Sequence, residues 1–493
     1  MMSQPNVIVI MVDQMKATAS HLYGNSFCRT PVLERLANSG VLYEQAHTPH
    51  PLCAPARMAL WTALYPDRSG LRENHQTIPP AQPHAFREWK KAGYRTGLIG
   101  KNHCFDLKQD ADMFDIICEI GHLGLSEDTV LKGAEWVRPQ EGIWRSHEVR
   151  RNMPVQSPVM SYAVTDYPLE DYSTSLVAAQ TVRFLEDHQE EPFALWVSFP
   201  DPHTPLEVPR VYADKYTKEQ IVLPPWGQDH WHEAPERNRV LYDILRIDQE
   251  SEEDVYAALG AYYGMIQFID DELGRIMEAL ERLQLRDDTI VVFCSDHGDF
   301  AGEHGMIDKG GVFYDCLTRV PLIVSWPGHV PQGVRETSPV SLLDIVPTVL
   351  ELQGLKLSAP MDGQLLPGVT AAEPRSCVYA VYGAGGPAYT LAQLHEEESC
   401  TGMPALNRSL KEREAEGQRR MIRTEKWKLV HDPMGDQDEL YDLEEDPGEL
   451  TNVAARPANA HIVQRLRSEL TAWSHRAERT QEENKAIQGG HDQ

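Results

Sequence analysis

The chain has 493 residues, 41% of them hydrophobic, enough for two or three domains or one large domain with an appendage. Its formal net charge of -28 keeps it soluble and excludes nucleic acid and anionic membranes as partners, because such a surface repels both. An anionic ligand would need a local, basic, desolvated pocket.

Residues 1–5 lead almost directly into an apolar segment, with no basic region or small-residue cleavage site, so no secretory signal is expected. No apolar run is long enough to span a bilayer. The eight cysteines are scattered without a C-x-x-C pair and read as reduced thiols, which points to the cytoplasm. In chain order, the continuous apolar run 7–12 predicts a buried strand. Thr30-Pro31 predicts the start of a helix that continues to about Asn38 and ends at Gly40. Strands are predicted over 94–99 and 193–199. The three- and four-residue steps among Ile266, Ile269, Leu273, Ile276 and Leu280 predict an amphipathic helix. Further strands are expected at 289–294 and 320–325. Composition changes after about residue 370: a glycine-rich stretch (Gly383, Gly385, Gly386) and a charged segment, 396–420, precede a strand at 426–430. A helix carrying Ile462, Val463, Leu466, Leu470 and Trp473 follows, and the last dozen residues are expected to fray. The pattern is an α/β sheet between helices over residues 1–370, with a smaller α+β domain over 371–493.

Four segments carry chemistry. Asp13-Gln14 and Asp296-His297 each follow a predicted strand, and ligands of open α/β sheets bind at the carboxyl ends of strands. Two carboxylates there suit a divalent cation, although either Asp alone could equally cap its turn. Cys53-Ala54-Pro55-Ala56-Arg57 opens a helical run with Pro55 in its first turn, so Cys53 lies where the helix dipole favours negative charge. Arg57, one turn on, could reach back to the same anion. Lys101 and His103 follow the strand that ends at Gly100. Alternating on an extended backbone they would point to one side, a cation and a base together; a solvated pair is the plain alternative.

These segments, in this order, resemble the sulfatases of the alkaline-phosphatase-like superfamily. Residues 53–63 match the first sulfatase signature, except that its usual final glycine is Ala63, and residues 93–103 match the second. Ser295-Asp296-His297-Gly298-Asp299, Gly302-Glu303-His304-Gly305, Lys309, Leu343-Asp344-Ile345-Val346-Pro347 and Trp427-Lys428-Leu429 continue the likeness over nearly the whole chain. The Asp–Gln and Asp–His pairs look like those of choline sulfatases and phosphonate monoester hydrolases; iduronate sulfatase shares the Asp–His half.

The resemblance implies an alkaline-phosphatase-like fold with a mixed, mostly parallel sheet. It implies that a separate maturation enzyme converts Cys53 to Cα-formylglycine. It also implies that Asp13, Gln14, Asp296, His297 and residue 53 hold one divalent cation, Ca²⁺ first, with Mn²⁺ or Mg²⁺ as alternatives. Lys101 and Lys309 would hold sulfate oxygens, Arg57 would steady the nucleophile, and His103 would act as base. His203, with Lys309, would protonate the leaving oxygen. The expected substrate is a sulfate monoester, of a small molecule or saccharide. Phosphonate monoester hydrolysis, and a non-catalytic metal-binding role, are the alternatives. A homo-oligomer is compatible with the sequence. Trp226, Trp231 and the 383–390 loop could shape a sugar pocket, His230 and His232 could line it or lie on the surface, His304 could hold a loop, and Gly298 and Gly305 are expected in turns.

Overall fold

The computed structural model describes residues 4–489 apart from 126–128, 139, 154–160, 225–230, 232–233, 397–400 and 436. Its centre is a nine-stranded sheet. In chain order the strands are β1 (Asn6–Val12), β2 (Val41–Tyr43), β3 (Arg95–Gly100), β4 (Ile116–Glu119), β5 (Leu131–Lys132), β6 (Phe193–Phe199), β7 (Thr289–Ser295), β8 (Leu322–Ser325) and β9 (Val334–Glu336). They lie in the order β9-β2-β8-β7-β1-β6-β3-β4-β5. The five inner strands from β7 to β4 run parallel, while β8 and β5 enter antiparallel.

β1 is apolar throughout because both its faces are covered. Ile8, Ile10 and Val12 join the core beneath α1 (Pro31–Asn38), and Val7, Val9 and Met11 join the opposite core with Met58 and Trp61 of α2 (Cys53–Thr62). That alternation is the two-residue period of a strand between two helical layers. The periodic segment at 266–280 belongs to a longer helix than its pattern marks, Glu252–Arg282. It packs Ile266, Ile269, Leu273 and Ile276 into the first core. Helix α3 (Gln140–Arg151) borders the site below, and α4 (Ser173–Asp187) comes directly ahead of β6; the long helix is α5.

The C-terminal part is a four-stranded antiparallel sheet, β10 (Cys377–Tyr382), β11 (Arg419–Thr424), β12 (Trp427–His431) and β13 (Glu439–Asp442). The charged stretch at 396–420, for which no element is predicted, contains helix α6 (Gly402–Ala415), because Ala405 and Leu406 bury an apolar stripe among many charges. The last helix, α7 (Ala460–Gly489), continues through most of the residues expected to fray. Trp226, His230, His232 and Cys400 lie outside the described residues. Among those described, no helix is long and apolar enough to cross a membrane.

Candidate active site

β1 and β7 are parallel neighbours with Val12 opposite Ser295, so the residues that follow them, Asp13 and Asp296, leave the sheet side by side. The N-terminus of α2 brings Cys53 to the same point. Asp13, Cys53, Asp296 and His297 are all buried, and one donor atom from each lies within 4.8 Å of the others. Cys53 Sγ is 3.0 Å from His297 Nε2 and 3.6 Å from Asp13 Oδ1. His297 Nε2 is 3.8 Å from Asp13 Oδ1 and 3.7 Å from Asp296 Oδ1.

The orientation of each donor has a cause. His297 Nδ1 donates to the Gly298 carbonyl at 2.9 Å, which turns Nε2 toward the shared point. Arg57 Nη2 donates to Asp13 Oδ2 at 2.7 Å and its Nε to Asp296 Oδ2 at 2.8 Å, leaving the Oδ1 atoms facing inward. Its Nη1 reaches Ser198 Oγ at 2.8 Å and the Lys101 carbonyl at 3.0 Å. The guanidinium expected to reach the anion is therefore committed to two carboxylates that are fully buried. Lys101 Nζ is 2.6 Å from Asp13 Oδ2. His103 arrives from a turn, φ 59°, and not from an extended segment. It faces Cys53, and its Nδ1 has no partner among the described residues.

The electrostatics follow from these contacts. Burial works against a charged Asp13, but Lys101 and Arg57 hold its carboxyl far below the usual range. Burial likewise opposes a thiolate at Cys53, yet Lys101, Lys309 and His297 pull the thiol well below its ordinary value. Position 53 thus stands in a field that favours negative charge, whether on a nucleophile or on a bound oxyanion. Burial, the largest influence on His297, disfavours its charged form. Asp296 and Cys53 outweigh it and push the imidazole up to about 8, a sign of how much negative charge converges there.

The donor set fits a divalent ion. Ligands at 2.3–2.6 Å from a cation span roughly 5 Å across its coordination sphere, close to the separations found. Gln14 shows a different commitment from the one expected. Its Nε2 donates to Asp299 and to Asp308 Oδ1 (2.9 Å), and its Oε1 accepts from Lys309 Nζ. Gln14 has φ 71°, and Tyr262 Oη donates to its carbonyl at 3.0 Å.

A cavity of about 590 Å³ opens over position 53; Cys53, His103, His203 and Lys309 are on its wall. His203 stacks on His122, with ring centroids 4.9 Å apart. His122, Asn74, Arg150, Tyr382 and Arg413 also border the cavity. Sequence reasoning missed all five, since they come from five distant segments without a motif. Trp231, one of the possible pocket aromatics, is buried against Tyr242 with centroids 4.5 Å apart. His304 stacks on Tyr314 at 3.8 Å and anchors its loop. Gly305 has φ 70° and serves a turn, but Gly298 is required for a different reason: a Cβ there would collide with the Cys316 carbonyl. Ala63 ends α2 at φ 53°, which is why a glycine is usual at that position.

Two carboxylates, an imidazole and position 53, converging at the ends of parallel strands beneath a cavity edged with cations, define a hydrolase of anionic esters with a place for a metal ion. The chain belongs to the sulfatase family: the family model described as Sulfatase matches residues 5–355. It is a sulfuric ester hydrolase. A second model, described as N-sulphoglucosamine sulphohydrolase, C-terminal, matches residues 410–476. The chain is 30% identical to a choline-sulfatase of Rhizobium meliloti (strain 1021), over 92% of this chain and 83% of that protein. It is 28% identical to an arylsulfatase of Clostridium perfringens, over 91% and 90%. Its structure superposes on the phosphonate monoester hydrolase of Agrobacterium radiobacter with a TM-score of 0.77 and 25% identity, over 96% of both chains.

Proposed function

We propose that the enzyme hydrolyses sulfate monoesters of small saccharides, with residue 53, matured from cysteine to Cα-formylglycine by a separate enzyme, as nucleophile. A single divalent cation, Ca²⁺ before Mn²⁺ or Mg²⁺, would be held by Asp13, Asp296, His297 and residue 53, with Gln14 alongside. The observation that carries this reading is the convergence of these donors on position 53 at the floor of the cavity. The match of the C-terminal region to an N-sulphoglucosamine sulphohydrolase model supports a saccharide.

A divalent cation held by these residues would supply positive charge for the sulfate oxygens and for a hydroxyl on residue 53, whose pKa it would lower. As an aldehyde hydrate, residue 53 offers two hydroxyls on one carbon, one to attack sulfur and one to expel sulfate. The other residues bind, orient and move protons. Asp296 helps to deprotonate the attacking hydroxyl. Arg57 fixes both carboxylates so that their inward oxygens stay in place. Lys101 and Lys309 offer ammonium groups to the sulfate oxygens, Lys309 from the cavity wall. His203, with Lys309, donates a proton to the leaving oxygen. His103 takes the proton of the second hydroxyl; burial lowers its pKa, so it is a neutral acceptor at pH 7.

Mass spectrometry of the peptide ending at Arg57, from cells that co-express a maturation enzyme, should show formylglycine at position 53. The Cys53→Ser variant should then lose turnover of 4-nitrophenyl sulfate, because a serine has no second hydroxyl to expel the product. Wild-type turnover by Cys53→Ser or Cys53→Ala would refute the mechanism. The superposition on a phosphonate monoester hydrolase keeps a second reading open, phosphonate monoester or phosphodiester hydrolysis with the same nucleophile. Kinetics on matched aryl sulfate and aryl phosphonate monoesters separate the two, and a clear preference for the phosphonate would reverse the assignment.

A further inference from the structure

Arg413 is a cation the proposed reaction does not use. It lies near the end of α6, is only 5% exposed, and borders the cavity. Its Nε donates to Ser409 Oγ at 2.8 Å and its Nη2 to the Leu406 carbonyl at 3.2 Å, both on its own helix. Among the described residues no carboxylate pairs with it, and its Nη1 has no hydrogen-bond partner. The acids next to it in sequence are engaged elsewhere. Glu414 accepts from Asn74 Nδ2 at 2.7 Å, and Glu416 Oε2 from Arg419 Nη2 at 3.5 Å.

Glu414 and Glu416 act on Arg413 only from a distance, and a buried guanidinium with no carboxylate bonded to it is costly, so such a group is retained where something else supplies the partner. Its position relative to residue 53 is set by one bridge. Asn74 Oδ1 accepts from the Ala54 N–H at 3.2 Å while the same side chain donates to Glu414, tying α6 to the N-terminus of α2. Three other cations border the cavity, Arg150, Arg151 and Lys309, against one carboxylate, Asp308, among the described residues. Arg151 directs its guanidinium to the carbonyls of Leu125 and Trp144, without a carboxylate among the described residues. Asp308, the carboxylate of the cavity wall, already accepts from Gln14 and Thr204.

We propose that Arg413 recognises a second anionic group on the substrate, a carboxylate or a further sulfate, so that the preferred esters carry two negative groups. The planar fork of a guanidinium accepts either group in a bidentate manner. This inference rests on the sulfate-ester reading and adds the substrate class; Arg413 is a specificity-determining residue, outside the bond-breaking steps.

The test uses the matured, metal-loaded enzyme turning over 4-nitrophenyl sulfate. Inhibition constants are measured for N-acetylglucosamine 6-sulfate, for glucosamine 2-N,6-O-disulfate, for a sulfated glucuronic acid and for choline sulfate. At least one doubly anionic sugar should bind about tenfold tighter than the singly sulfated one, the size expected of a charge-assisted hydrogen bond. Whichever it is identifies the second group as sulfate or carboxylate. Arg413→Gln should bring that ratio to about one, and Arg413→Lys should keep part of it. A merely structural role would weaken all ligands alike and leave the ratio intact, which would overturn the proposal. So would a wild-type ratio near one or tighter binding of choline sulfate, and both can be read if Arg413→Gln fails to fold. An inactive wild-type enzyme on 4-nitrophenyl sulfate would sink the sulfatase reading itself, and this inference with it.

Discussion

Arg57 binds the two buried carboxylates of the site together. Its guanidinium spends its Nε and Nη2 on two buried carboxylates and its Nη1 on Ser198 and the Lys101 carbonyl. A lysine ammonium is a point charge and cannot span Asp13 and Asp296 together. Asp13 also has Lys101, so Arg57→Met should leave Asp296 buried without its guanidinium, at a cost of about 3–5 kcal/mol. The expected result is a lowered thermal midpoint together with less divalent metal per chain by elemental analysis; a variant with wild-type stability and metal content would contradict the clamp. The residues of this constellation were legible as candidates because each follows a strand or opens a helix and their motifs, in this order, resemble those of the sulfatases. The role of Arg57 was not legible, since the spacing showed only that it lies one turn from Cys53 and not which charges lie beneath it.

Among elements, α1 depends on another helix for its start. Thr30, expected to cap it, makes no side-chain capping bond. Asp270, on α5, takes over that task, accepting from the N–H groups of Val32 and Leu33 at 2.9 Å each. Burial pushes the Asp270 carboxyl up to about 6, with the two N–H donors offsetting only part of the effect. The folded state therefore holds a proton that the unfolded chain has lost. The stability this contributes is complete below the unfolded value of 3.8 and is lost as pH rises through about 6. A shift of roughly two units corresponds to on the order of 3 kcal/mol. Relative to Asp270→Asn, wild-type thermal stability should fall between about pH 4 and pH 6, and parallel pH profiles of the two proteins would refute the assignment. The turn after β3 also depends on contacts from outside its own sequence. Gly100 has φ 101°, and a Cβ there would run into the Ser198 carbonyl of β6, so the strand can deliver Lys101 to Asp13 only with glycine at its end.

For the whole molecule, the small sheet completes the large one. Leu52 and Phe313 share a core with Ala380, Tyr382, Met421 and Val430, while Ala59, Tyr65 and Leu343 share another with Ile422 and Leu429. Between them lies Lys428, fully buried, which donates to the Phe313 carbonyl at 2.8 Å and pairs with Asp315 at 2.5 Å and Glu449 at 2.6 Å. Lys428→Met would leave the buried Glu449 without its cation, while the partly buried Asp315 keeps Arg423 at 3.6 Å. The loss should be about 3–5 kcal/mol, seen as a lower thermal midpoint and as earlier proteolysis of the region after residue 370. Turnover should fall as well, because Tyr382 and Arg413, on the cavity wall, belong to this part of the chain. A fully active, equally stable Lys428→Met protein would show that the two sheets dock independently of this network.

The sequence by itself determined the strands and helices with strong periodicity and, through the likeness of its motifs to those of the sulfatases, the catalytic class and the candidates Asp13, Cys53, Lys101, His103, Asp296 and His297. Each of these is written in a short span of chain, where apolar period, helix start and strand end act locally. Tertiary structure alone decided which donors face the shared point, that Arg57 binds carboxylates, that Asp270 caps a helix on another element, and that α6 brings Arg413 to the cavity. Those outcomes depend on pairs of residues tens to hundreds of positions apart, whose meeting is set by the packing of sheet and helices and leaves no local pattern to read.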